Sequence, residues 1–164
     1  MAFARKNKSV VETNHVSAVR TGNIKAQHKA HTDLENGMAV TVDDIDKVVK
    51  KAGSTVEVGD LYLHVSEEQL YESHLGRNAF YIKAGQYPRC LKLTEGDIFE
   101  TNALATGEDV VYAVEDKLTV IGGLWTKSTL GSEAKVAEIV ELVTLPNGEP
   151  GAKIKIIKTI PAVS

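Results

Sequence analysis

Apolar and polar positions alternate in short bursts along most of this chain, and the bursts are separated by turn residues. In Arg89-Cys90-Leu91-Lys92-Leu93, Leu91 and Leu93 face one way and Lys92 the other, as in a half-buried strand. Thr94-Glu95-Gly96-Asp97 follows as a turn, with Gly96 free to take a positive φ. Ile98-Phe99 resumes a strand, so residues 89–101 predict a core hairpin. Asn36-Gly37 is a second strong turn signal, and Met38, Val40 and Val42 then share a strand face.

Other segments read in the same terms. Thr55–Val58 and Leu61–Val65 predict strands about Gly59-Asp60, and residues 79–83 predict another. Asp109–Val114 and Lys117–Ile121 predict a hairpin about Glu115-Asp116, followed by a loop from Gly122 to Gly131. Val136–Leu145 and Ala152–Ile160 predict a longer hairpin turning through Pro146–Gly151 and ended by Pro161. Helical spacing occurs twice. Ile45, Val48 and Val49 fall at i, i+3 and i+4 within 44–53, with acids first, lysines last and Gly53 as a cap. Ser66-Glu67-Glu68-Gln69 forms a capping box that opens a helix running to about Leu75-Gly76. The whole predicts a mainly β domain, a compact barrel or sandwich with one or two short helices.

Residues 1–30 lack a clear period. They read as an extended N-terminal arm, and residues 31–164 as the β-rich globular domain. Charge sharpens that division. The first 30 residues hold six cations against Glu12, a net of +5, and the remainder holds 13 cations and 21 anions, a net of −8. A basic arm on an acidic body points to an acidic partner: nucleic acid, another protein, or a neighbouring copy of the body.

Composition narrows the class further. With 43% apolar residues in 164, the chain can bury a real core, built mostly from Val, Ile and Leu because aromatics are 5%. No run of about 18 apolar residues is present, so no transmembrane helix is expected, nor is the N-terminus apolar enough for a secretory signal. The single cysteine, Cys90, forms no internal disulfide and reads as a small buried hydrophobe in a reducing compartment.

Candidate chemistry is sparse. His28 and His31 stand three apart without further ligands, and read as solvated histidines of the arm. His64 and His74 show no adjacent nucleophile with an acidic partner. Asp43-Asp44, Glu67-Glu68 and Glu115-Asp116 sit where turns and helix starts favour acids. Gly122-Gly123 lacks the Lys-Ser/Thr of a phosphate loop. No catalytic set, metal site or cofactor is expected. A single-strand nucleic-acid-binding barrel is the alternative of a different class, although the body is acidic and its aromatics lie in or beside apolar strands.

The order of Glu35-Asn36-Gly37, Gly59-Asp60-Leu61-Tyr62-Leu63-His64-Val65 and Glu95-Gly96-Asp97-Ile98-Phe99 resembles small head proteins of tailed bacteriophages, of the decoration or cement type, over residues 30–160. The resemblance implies a non-enzymatic β-rich domain on the outer capsid surface, assembled in the bacterial host cytoplasm. Its partners would be the major capsid protein and neighbouring copies, with a homotrimer as one arrangement. Another virion part, such as a head–tail connector or tail component, is the alternative within that class. The basic segment is then a capsid-gripping arm, with Phe3, Arg5, Lys6, Lys8, Val10, Val11, His15, Arg20, Lys25 and Lys29 as contact candidates. The turn motifs rest on Glu35, Asn36, Gly37, Gly96, Asp97, Ile98 and Phe99.

Overall fold

The computed structural model describes residues 8–66, 80–107 and 109–163. Phe3, Arg5, Lys6, His74 and the helix expected after Ser66 lie outside them. The fold is mainly β: among the described residues twelve strands form two open six-stranded sheets, sandwich-like and not closed into a barrel.

One sheet orders its strands as β1 (Val11–His15), β8 (Ile98–Thr101), β12 (Pro150–Ile160), β11 (Lys135–Thr144), β9 (Lys117–Ile121) and β10 (Leu124–Lys127). The other runs β2 (Ile24–Lys25), β7 (Cys90–Lys92), β6 (Tyr62–His64), β4 (Ala39–Asp43), β5 (Val48–Lys51) and β3 (Lys29–Ala30). All pairings are antiparallel except β3 with β5. A five-residue helix, α1 (Ser17–Thr21), and a 3₁₀ turn at Val58–Asp60 complete the described elements. Val40, Leu63 and Leu91 from the second sheet join Phe99, Val120 and Ile154 from the first in one buried cluster. Trp125 packs there, its ring 5.3 Å from that of Phe99.

The stretch 89–101 turns as expected but is not a hairpin. β7 belongs to one sheet and β8 to the other, and the Thr94–Asp97 turn carries the chain between them. The physical reason is burial. Leu91, Leu93 and Phe99 are all fully buried, and an arch lets both strands face the shared core. Gly96 has φ +95°, its N–H donates to Ile156 O, and Ile156 N–H donates back to Asp97 O. The turn is thereby sewn to β12.

The helix expected over 44–53 is absent. Asp43 Oδ1 accepts from the Ile45 and Asp46 N–H groups, Lys47 takes φ +56°, and residues 48–51 form β5 against β4. An aspartate offering its side chain to nearby backbone competes with helix formation, and β-branched valines favour the strand. Residues 55–58 form no strand, and Val58 opens the 3₁₀ turn instead. Ile82 makes only an isolated bridge to Leu34.

Two further expectations shift partners. β9 pairs with β10 across Gly122-Gly123, and residues 109–114 form no strand with it. Both glycines have positive φ (58° and 81°), the requirement of a two-residue hairpin turn, so the expected loop holds β10. The β11–β12 hairpin forms as expected, with Leu145 N–H donating to Glu149 O across its turn.

Segment 1–30 enters the body early. From Ser9 it is laid along it, giving β1 to the edge of one sheet and β2 and β3 to the edges of the other. Val10, Val11, Val16 and Ala18 are buried, which fixes the segment's course.

The tightest approach is at Gly37. A Cβ there would lie 2.1 Å from Thr101 Oγ1, and its φ is +87°. Gly37→Ala therefore lowers stability by about 3 kcal/mol or more, because strain and a clash coincide. Urea unfolding measures this; a loss below about 1 kcal/mol would contradict the close approach.

Candidate interaction surface

An extended polar group surrounds Glu35-Asn36-Gly37. Met38 N–H donates to Glu35 O, closing a turn with Gly37 at its third position, where a positive φ is required. The turn does not join two paired strands; Leu34 bridges Ile82 while β4 departs the other way. Its polar atoms reach three other segments instead. Ser9 Oγ donates to Asn36 O at 2.6 Å, and Trp125 Nε1 donates to Gly37 O at 2.9 Å. The Asn36 side chain accepts from Ser66 N–H and donates to Ser66 O. Thr101 Oγ1 donates to Val10 O at 2.7 Å beside it.

His64 lies fully buried in this group. Its Nδ1 is 2.8 Å from Glu35 O and its Nε2 2.7 Å from Ser66 Oγ. A carbonyl only accepts, so Nδ1 carries the proton and Nε2 accepts the Ser66 hydroxyl hydrogen. Ser66 Oγ in turn accepts from Arg89 N–H. Ser66 thus places a hydroxyl directly against His64, a neighbour two residues along the chain. A backbone carbonyl stands where a triad would place a carboxylate, and desolvation pushes the imidazole pKa down to about 4. An imidazole so reluctant to charge is a weak base. Chemically, the arrangement suits a neutral, saturated lock that holds the turn against β6.

The contact candidates divide sharply. Val10 and Val11 are turned into the core and are not available at the surface. Lys8 is exposed, with its ammonium 4.8 Å from the centre of the Tyr81 ring. Lys29 is exposed on β3, and Lys25 is half-buried with its ammonium 3.6 Å from Asp44. His15 and Arg20 are exposed at the rim of a depression of about 320 Å³ shared with Thr13, Val16, Ser17, Val19, Thr21 and Asp97. Asp97 itself is buried and committed, accepting from Ser17 N–H and Thr94 N–H.

His28 is not a solvated residue of an arm. It is buried, with Nε2 2.9 Å from Asp44, whose carboxyl pKa is held down by Lys25 first and by His28 also. His31 is exposed. Cys90 is fully buried, and desolvation pushes its thiol up to about 12. Among the described residues no cluster of three or more His, Cys, Asp or Glu could hold a metal, and no helix is long and apolar enough to cross a membrane.

Lys92 was placed by alternation on the wet face, yet its ammonium donates to three backbone carbonyls. It reaches Val58 O at 2.8 Å, Leu61 O at 3.3 Å and Leu93 O at 2.9 Å, beside the Tyr62 ring. Burial lowers its pKa. No period along the chain signals such a staple. Ser66 was equally masked, since a serine before two glutamates reads as a helix cap.

No protein family, curated protein or solved structure matches the chain.

The depressed His64 pKa sets a pH dependence with a definite sign. Above about pH 6.5 both folded and unfolded chains hold this imidazole neutral. As pH falls toward 4 the unfolded chain takes the proton first, and the fold loses on the order of 3 kcal/mol from this group. An NMR titration of the His64 imidazole is expected to show it neutral down to about pH 4; a midpoint near the ordinary histidine value would contradict the burial of this lock.

Proposed function

We propose that this protein decorates and stabilises a bacteriophage head from outside and does so without catalysis. The observation that carries the reading is the position of the residues behind the resemblance. Glu35-Asn36-Gly37 and Gly96-Asp97-Ile98-Phe99 are the joints of the two-sheet body: one gathers Ser9, His64, Ser66 and Trp125, and the other carries the chain between sheets. A likeness seated at structural joints speaks for a shared architecture more than one scattered over surface loops.

A cement protein must add binding energy across seams that internal pressure strains. Many copies, each with a modest interface, achieve this through multivalency. The rigid two-sheet body covers a seam, and the basic N-terminal segment grips an acidic surface. Lys8, Arg20 and Lys29 are its exposed, described cations without a carboxylate partner among the described residues. Glu35 is held by Ser9 N–H, which ties the segment to the body just after Lys8.

Nucleic-acid binding is less well supported. Single strands need exposed aromatic faces for stacking. Phe99, Tyr112 and Trp125 are buried, and Tyr81 and Tyr62 lie beneath lysine ammoniums. Tyr87 is the large exposed aromatic among the described residues.

Co-sedimentation with purified empty shells tests the reading. The full chain is expected to pellet with shells, and the K8E/K29E double variant to bind about tenfold more weakly, with affinity falling as salt rises. Salt-sensitive binding to single-stranded oligonucleotides with none to shells would overturn it.

A further inference from the structure

Ile45 is the most exposed large hydrophobic residue among those described, at 93%. A lone exposed isoleucine ordinarily means nothing. This one is held out on a turn locked from several sides. Asp43 Oδ1 accepts from the N–H groups of Ile45 and Asp46, and those two bonds hold the Asp43 pKa down. His28 and Lys25 both grip Asp44, and Lys29 N–H donates to Lys47 O. The β4–β5 hairpin therefore presents a fixed apolar knob with little conformational freedom left to lose on binding. The knob is flanked by two carboxylates, and Asp46 has no cationic partner among the described residues.

The opposite arrangement exists elsewhere on the same chain. The depression beside α1 exposes Val19 at 51% and is rimmed by His15 and Arg20, neither paired with a carboxylate among the described residues. Its one acid, Asp97, is buried and already bonded to Ser17 and Thr94. An acid-flanked isoleucine complements a depression lined by exposed Val19 and by Arg20, in apolar character and in sign of charge. Within one molecule the two are not in contact, since Ile45 is almost wholly exposed.

We propose that the Ile45 tip of one copy seats in the Val19 depression of a second copy, with Asp46 meeting Arg20. This assigns His15 and Arg20 to contacts between copies and leaves Lys8 and Lys29 for the head. It stands independently of what the assembled protein binds.

Sedimentation velocity of the free full chain across a concentration series tests it. The native chain is expected to self-associate, and I45D to weaken association at least tenfold while keeping the native far-UV spectrum and melting temperature, because the side chain buries nothing in its own fold. R20D is expected to weaken it as well, and the charge-swapped R20D/D46R chain to recover most of the loss. A chain that stays monomeric at high concentration would overturn the proposal. So would association unchanged by I45D, or an R20D/D46R chain no better than R20D. An I45D chain that associates normally yet loses binding to empty shells would make the head, and not a second copy, the occupant's source, and would overturn the proposal while leaving the decoration reading in place.

Discussion

The rest of the structure depends on how the Glu35-Asn36-Gly37 turn satisfies its own polar atoms. A turn buried between layers has no water to bond, so each carbonyl and amide needs a protein partner. Here those partners come from three separate parts of the chain. Ser9 belongs to the N-terminal segment, His64 and Ser66 to β6 and its continuation, and Trp125 to the edge strand β10. Gly37 lets the Thr101 hydroxyl come within a distance that any side chain would occupy. One three-residue turn thus fixes the spacing between two sheets and the course of the first strand. Buried polar groups of this kind are costly when half satisfied and specify a single arrangement when complete.

The same economy appears at the Thr94–Asp97 arch. Asp97 accepts from Thr94 and from Ser17, so one carboxylate closes its own turn and anchors the start of α1. The two joints therefore share a role: each ties the N-terminal segment to the core. The long β11–β12 hairpin supplies the regular sheet on which they rest. Its outer face carries charge pairs such as Lys153 between Glu100 and Glu141, which are exposed enough to contribute little on their own.

Much of this was legible in the chain. Mainly β character followed from alternation and turn spacing, and the turns at Gly37, Gly96 and Gly148 all occur with the positive φ that their glycines permit. Pairing was harder to read. Leu91, Leu93 and Phe99 look identical in a hairpin and in an arch, because both bury the same alternate positions; only the second sheet decides. Ile45, Val48 and Val49 fit a helix stripe over less than two turns, and the Asp43 side chain settles the matter through bonds no periodicity encodes. Val10 and Val11 sit among cations, so local composition hid their burial. The candidate surface residues were partly legible: exposure of Lys8, His15, Arg20 and Lys29 follows from charge, whereas the depression joining His15 and Arg20 arises only when β1 and α1 pack on Asp97.

The central claim concerns a protein that acts by number, many modest grips on a repeating surface. The most direct test is its copy number in purified virions, by quantitative mass spectrometry against the major capsid protein. The account predicts on the order of hundreds of copies per particle, in simple ratio to the capsid subunits. About a dozen copies or fewer would place it at a portal, connector or tail, and its absence from the particle would contradict a virion role altogether.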